Sequence, residues 1–179
     1  MGGGWDILRW MARRLPRIIR RDRSPRLKGA KIAAMFQPSQ HDVRRFFCET
    51  YRKHVGQLPL TPMEATAADW ISQHPEYFDA LADEAAALAA VYDVEAGKTN
   101  PFLHLSMHLS ITEQIAIDQP SGIKQAHALL SRRLGSAHEA QHQVMECLGE
   151  MIWASQRSGL PPDGERYLEC VRQRATRGA

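Results

Sequence analysis

The chain has 179 residues, of which 44% are hydrophobic and 24% are charged, a composition typical of a folded globular protein. This composition argues against a chain that is disordered throughout. The formal net charge is +3, but the charges are segregated. Residues 1–34 carry ten basic and two acidic side chains, so the remaining residues have a net charge of −5. The mildly acidic body therefore gives no support to nucleic-acid binding by the folded domain.

Residues 1–34 differ from the rest of the chain. They begin with three glycines after the first residue, place tryptophan and isoleucine among arginines, and are interrupted at Pro16 and Pro25. One interpretation is a basic amphipathic arm that lies on an anionic membrane surface or on nucleic acid. The favoured interpretation is an extension upstream of the usual start, with Met35 as the initiator. We therefore predict a basic N-terminal extension at 1–34 that is not part of the fold, and a single helical domain at 35–179.

The three cysteines, Cys48, Cys147 and Cys170, are odd in number and show no C-x-x-C spacing. This pattern favours free thiols in a reducing compartment over a disulfide framework, and it predicts a cytoplasmic protein. Arginines interrupt every apolar run near the N-terminus. We find neither a signal-peptide core nor a run approaching the roughly 20 apolar residues of a membrane span.

Capping signals and apolar periodicity predict an all-α fold, a compact helical bundle of about six to seven helices. The first two helices each begin at a capping box, in which a hydroxyl and an acidic side chain satisfy backbone N–H groups. These boxes are Ser39 with Asp42 and Thr61 with Glu64. The alanine-rich segment from Glu76 to about Tyr92 predicts a single continuous third helix.

The remaining helices follow the interruption at Gly97. Their starts are marked by a capping side chain, by proline at the first helical position or by a preceding glycine. The predicted helices are a fourth from Asn100 to about Ile117, a fifth from Ile123 to Leu134, a sixth that Ser136 caps and that reaches about Ser158, and a short last helix capped by Asp163.

Histidines with helical spacing form the feature with the most chemical content. His104 and His108 are four residues apart in the fourth helix, and both are predicted to point toward the core. In the sixth helix, His138, His142 and Glu146 fall on one stripe, on successive turns. Because a pair of histidines four residues apart can chelate one ion, we predict that these five residues bind a metal.

Imidazole nitrogen together with a carboxylate is the ligand set of zinc and non-haem iron sites, whereas Mg²⁺ and Ca²⁺ prefer oxygen. Glu146 is a direct ligand, a base for a metal-bound water, or an acceptor that orients an imidazole, and the sequence does not choose among these roles. A hydrogen-bonded core network of histidines without metal is the alternative. His74 precedes Pro75 and needs no function to explain it.

Several segments together resemble one family. They are Met35-Phe-Gln-Pro-Ser, Val43-Arg-Arg-Phe-Phe, Leu60-Thr-Pro-Met-Glu, Asn100-Pro-Phe-Leu-His-Leu-Ser-Met-His-Leu and Gln141-His-Gln-Val-Met-Glu-Cys-Leu-Gly-Glu-Met-Ile-Trp. The chain resembles the proteobacterial domain-of-unknown-function 1841 family from Met35 to about Arg174. The resemblance implies a bacterial cytoplasmic protein whose usual start corresponds to Met35. It implies no catalytic residue, because the family has no established activity.

Two functional hypotheses follow from these patterns. The first is a helical bundle that binds zinc or iron through clustered histidine and glutamate side chains, and it leaves open whether the protein is an enzyme. The second is a non-enzymatic helical adaptor in which the histidines are structural and the partner is another protein or a second copy of the chain.

Overall fold

A computed structural model describes residues 39–92 and 99–176 of the chain. The predicted extension at 1–34 lies outside the described residues. The described segments hold eight α-helices and no strand, which confirms the all-α fold class. None of these helices combines the length and the apolar character that crossing a membrane requires. The helices divide into two compact units, which among the described residues are 39–106 and 107–176.

The first unit contains four α-helices, a 3-10 turn and the beginning of a fifth α-helix. They are α1 (Gln40–Val55), α2 (Pro62–Ser72), the 3-10 turn (Pro75–Tyr77), α3 (Phe78–Ala82), α4 (Glu84–Ala89) and α5 (Pro101–Ile117). Both predicted capping boxes are formed, at Ser39 and at Thr61. The core of this unit is formed by large side chains that are almost fully buried, including Phe47, Ile71, Leu81 and Leu105.

The prediction of one continuous third helix is wrong, because the alanine-rich segment is divided at Asp83. The backbone of Asp83 is extended, and its carboxylate accepts a hydrogen bond of 2.9 Å from the N–H of Ala86. Aspartate at an N-cap satisfies a backbone donor that the start of a helix leaves without a partner. This local bond starts α4 and raises the number of α-helices above the predicted six or seven.

A buried arginine caps the C-terminal end of α4. The guanidinium of Arg44, only 6% exposed, donates through Nη1 to the carbonyl oxygens of Ala87 at 2.8 Å, Leu88 at 3.2 Å and Ala90 at 2.9 Å. The last carbonyls of a helix lack partners within the helix, and a cation at this end is favoured by the helix dipole. Arg44 therefore anchors a helix that is too short to be stable alone.

The second unit contains the rest of α5 and three further helices. These are α6 (Ile123–Leu134), α7 (Ala137–Ser158) and α8 (Gly164–Thr176). The bounds of α6 and α7 agree with the predicted ones, whereas α8 starts at its predicted cap, Asp163, but is longer than the short helix predicted, since it continues to Thr176. The last three helices pack on one another through buried apolar side chains, including Ile123, Leu130, Val144, Leu148 and Val171. The side chain of Ser136 accepts from the N–H of Glu139 at 3.1 Å, as predicted for the start of α7.

A disulfide joins Cys147 on α7 to Cys170 on α8, with the Cα atoms 5.9 Å apart. The prediction of free thiols is therefore wrong for this pair. It is confirmed for Cys48, which is free and buried, and burial raises the pKa of its thiol to about 11. The packing of α7 against α8 places the paired sulfurs within bonding reach, although no sequence motif joins them. The argument from free thiols to a reducing compartment does not hold for Cys147 and Cys170.

Candidate metal centre

Three histidines converge within the second unit. His108 lies on α5 and is fully buried, while His138 and His142 lie one turn apart near the start of α7 and are half-buried. Residues four apart in a helix project from neighbouring points on one face, so α7 presents both of its imidazoles together. The ring centroids are 5.9 Å apart for His108 and His138, 5.0 Å for His108 and His142, and 4.4 Å for His138 and His142.

The ring nitrogens of this cluster have the spacing of ligands around one ion. One nitrogen from each of His108, His138 and His142 lies within 4.8 Å of the others. The Nε2 atoms of His108 and His142 are 3.2 Å apart. Two imidazole nitrogens bound to one tetrahedral zinc at about 2.05 Å are separated by about 3.3 Å. The cluster therefore fits a transition-metal ion with only small adjustment of the side chains.

His108 is held from its other edge by a residue of α7. Its Nδ1 lies 3.0 Å from Oε1 of Gln141, a side chain that is itself 4% exposed. An amide oxygen can only accept a hydrogen bond, so this contact is a hydrogen bond when Nδ1 carries the proton. The other ring nitrogen of His108, Nε2, is the one that approaches His142.

His104, also predicted as a ligand, lies one turn before His108 on α5 and contacts a different set of rings. Within the first unit its imidazole meets the ring of His74 edge to face at 4.7 Å and that of Tyr77 at 5.5 Å. His104 is half-buried. Within the first unit, His104 therefore belongs to a group of aromatic rings formed with His74 and Tyr77.

His74 is a buried histidine to which the sequence analysis assigned no function. It is 2% exposed, its Nδ1 lies 2.8 Å from Oε1 of Glu76, and it stacks on Tyr77. Burial alone would raise the pKa of Glu76, but the hydrogen bond with His74 lowers it below its ordinary value. A carboxylate that accepts from one imidazole nitrogen orients the ring, as carboxylates do for metal-bound histidines. In the sequence, the signal that could have indicated this pair is Glu76, an acidic residue two positions after His74.

Glu146, the fifth predicted ligand, lies on the exposed surface of α7, with its side chain 59% accessible. Its carboxylate accepts a hydrogen bond from Nη1 of Arg174 on α8. The same guanidinium also donates to Gln143 at 2.7 Å and to Glu150 at 3.2 Å. Of the five predicted ligands, the structure therefore brings together His108, His138 and His142, and it pairs Glu146 with an arginine.

Comparison with known proteins identifies the family of this chain. A family model with the description Domain of unknown function (DUF1841) matches residues 39–173. No curated protein and no solved structure matches the chain. The matched segment contains all three converging histidines. Because the match covers most of its length, the protein belongs to the DUF1841 family of domains of unknown function.

Proposed function

We propose that the protein binds a transition-metal ion, zinc or iron, through His108, His138 and His142. The observation that carries this proposal is the convergence of three ring nitrogens within 4.8 Å. A divalent cation accepts lone pairs from all three imidazoles at once, whereas a proton can link only two of them. Metal binding therefore accounts for a three-membered cluster better than a simple hydrogen bond does.

Zinc is the first ion to test. It has no geometric preference of its own and is commonly bound by imidazole alone, whereas many non-haem iron sites include a carboxylate. The carboxylate of Glu146, the candidate for that role, pairs with Arg174. The three imidazole nitrogens also disfavour Mg²⁺ and Ca²⁺, which take oxygen ligands.

Elemental analysis of the full chain, purified without a histidine tag, tests the proposal. We expect stoichiometric zinc or iron either in the protein as isolated or after chelation and reconstitution with Zn²⁺ or anaerobic Fe²⁺. His142→Ala should no longer contain a stoichiometric amount of metal in either preparation. Absence of bound metal in both preparations would overturn the proposal.

The rival function is that of a non-enzymatic helical adaptor with a structural histidine network. The specific observation in its favour is that 3.2 Å between the Nε2 atoms of His108 and His142 is also a hydrogen-bond distance. Under this alternative the cluster joins α5 to α7 without metal, and the function lies in binding another protein or a second copy. Exhaustive chelation would then leave the stability of the protein unchanged.

A further inference from the structure

We infer that Gln141 is a positioning residue that fixes the tautomer of His108 and so directs its Nε2 lone pair to the metal. This inference rests on the proposed metal site and adds a residue that binds no metal itself. The observations that support it are three hydrogen bonds that link Thr112 and His108 on α5 to Gln141 on α7. In this series the direction of each hydrogen bond follows from the direction of the preceding one.

The sequence of bonds begins at Thr112, one turn after His108 on α5. Its Oγ1 donates to the backbone carbonyl of His108 at 2.8 Å. A hydroxyl group has a single proton, so toward Gln141 the same oxygen accepts, and Nε2 of Gln141 donates to it at 3.2 Å.

This bond determines the orientation of the amide. With Nε2 of Gln141 turned to Thr112, its Oε1 faces Nδ1 of His108 at 3.0 Å. Because that oxygen only accepts, Nδ1 is the protonated nitrogen of His108. The Nε2 atom is left with the lone pair that a metal requires.

Adjacent residues of α7 therefore hold opposite edges of one imidazole. Gln141 contacts Nδ1 of His108, and His142, the next residue, places its own Nε2 3.2 Å from Nε2 of His108. His108 and Gln141 are 0% and 4% exposed, so water does not compete for these bonds. The ring of His108 is thus held in orientation and in tautomer before a metal arrives.

Hydrogen-bond acceptors behind a metal-bound imidazole typically contribute about 10- to 100-fold to metal affinity. We therefore expect Gln141→Met, which keeps the length of the side chain but lacks the amide, to weaken zinc binding by about 10- to 100-fold. Gln141→Glu keeps an acceptor oxygen at this position and should retain most of the affinity. The matched control is Gln143→Met on the same helix, because Gln143 pairs with Arg174 and does not contact His108 in this network.

The experiment is a competition for Zn²⁺ between each full-length variant and a chromogenic chelator, with circular dichroism to confirm that each variant is folded. Nitrogen-15 NMR of the metal-free protein gives a second readout, in which His108 should be protonated at Nδ1 in the wild type and mixed in Gln141→Met. If the wild type binds zinc and Gln141→Met binds it with equal affinity, this inference is overturned, whereas the proposed metal site is not. Failure of the wild type to bind zinc or iron would overturn the proposed function itself. Protonation of His108 at Nε2 in the wild type would also overturn the inference.

Discussion

The Nε2 atoms of His108 on α5 and His142 on α7 lie 3.2 Å apart. An ion that binds only when these two helices are in their native arrangement stabilises the native state by an amount that rises with the logarithm of its affinity. At a free metal concentration about a thousandfold above Kd, this stabilisation is about 4 kcal/mol. We expect a chelator to lower the melting temperature and added Zn²⁺ to restore it, as measured by differential scanning calorimetry.

The control variants for this prediction are His142→Ala and His41→Ala. His142→Ala should lose both the bound metal and the response to chelator, whereas His41, exposed on α1, should be replaceable without effect on either. If chelation leaves the wild-type melting curve unchanged while His142→Ala is still destabilised, the cluster is a structural network. The cost of the unpaired buried partners would then be about 1–3 kcal/mol.

Glu146→Gln separates the sequence-based ligand assignment from the ion pair seen in the structure. We expect the variant to retain its metal, because the carboxylate pairs with Arg174 on the exposed face of α7. Its loss of stability should be small, below about 1 kcal/mol, because water screens an exposed ion pair. Metal content and urea unfolding measure the two effects. Loss of metal in Glu146→Gln, but not in the neighbouring Glu150→Gln, would show that Glu146 is a ligand, as the sequence predicts.

The pair formed by Lys53 and Glu64 predicts a pH dependence in the first unit. The ammonium of Lys53 at 2.7 Å, with the N–H of Thr61 at 2.8 Å, lowers the pKa of Glu64 from 4.5 to about 2. Because the pKa is lower in the folded protein, ionised Glu64 stabilises the fold above pH 4.5, and this contribution is lost as the pH falls toward 2. Glu64→Gln should therefore be less stable than the wild type at pH 6.

Urea unfolding in the presence of chelator, at several values of pH between 6 and 2, checks this prediction, with the pH range taken from the pKa of Glu64. The difference in stability between wild type and Glu64→Gln should shrink as the pH approaches 2. Glu165→Gln, an exposed position in the first turn of α8, is the control. A difference that does not change with pH would contradict the assignment.

The disulfide between Cys147 and Cys170 closes a loop with a sequence separation of 23 residues. Loop-closure entropy for this length predicts a loss of about 3 kcal/mol on reduction, which urea unfolding with and without dithiothreitol measures. The double variant Cys147→Ala, Cys170→Ala should not respond to reductant. Thiol titration of the denatured protein should find one free thiol before reduction and three after it. Three free thiols in protein kept under oxidising conditions would contradict the pairing.

Gly149 lies within α7, where glycine weakens a helix. A Cβ atom at this position would meet nothing within 4 Å. Gly149→Ala should therefore stabilise the protein by about 1 kcal/mol, raising the urea midpoint without loss of metal. Unchanged or lowered stability would indicate that the space beside Gly149 is needed, and Gly135→Ala, where φ is +68°, provides the contrasting destabilised case.

The sequence by itself determined where most helices begin and end, because capping acts over a few residues. Ser39 with Asp42 and Thr61 with Glu64 form their boxes over a separation of three residues, and α6 has the predicted bounds. The same short range explains why the pairing of His138 with His142 was readable from their spacing on one helix. Asp83 shows where prediction from helix propensity fails. Its capping hydrogen bond with the N–H of Ala86 outweighs the helix propensity of the surrounding alanines and starts a new helix.

Only the tertiary structure decided which side chains meet across helices. His108 and His142 are 34 residues apart in the chain, and Glu146 and Arg174 are 28 apart. Helical periodicity places Glu146 on a stripe with His142, yet it carries no information about an arginine on the neighbouring helix that takes the carboxylate. The disulfide depends in the same way on how α7 packs against α8. Such contacts arise from the packing of whole helix faces, a property that no local pattern of residues encodes.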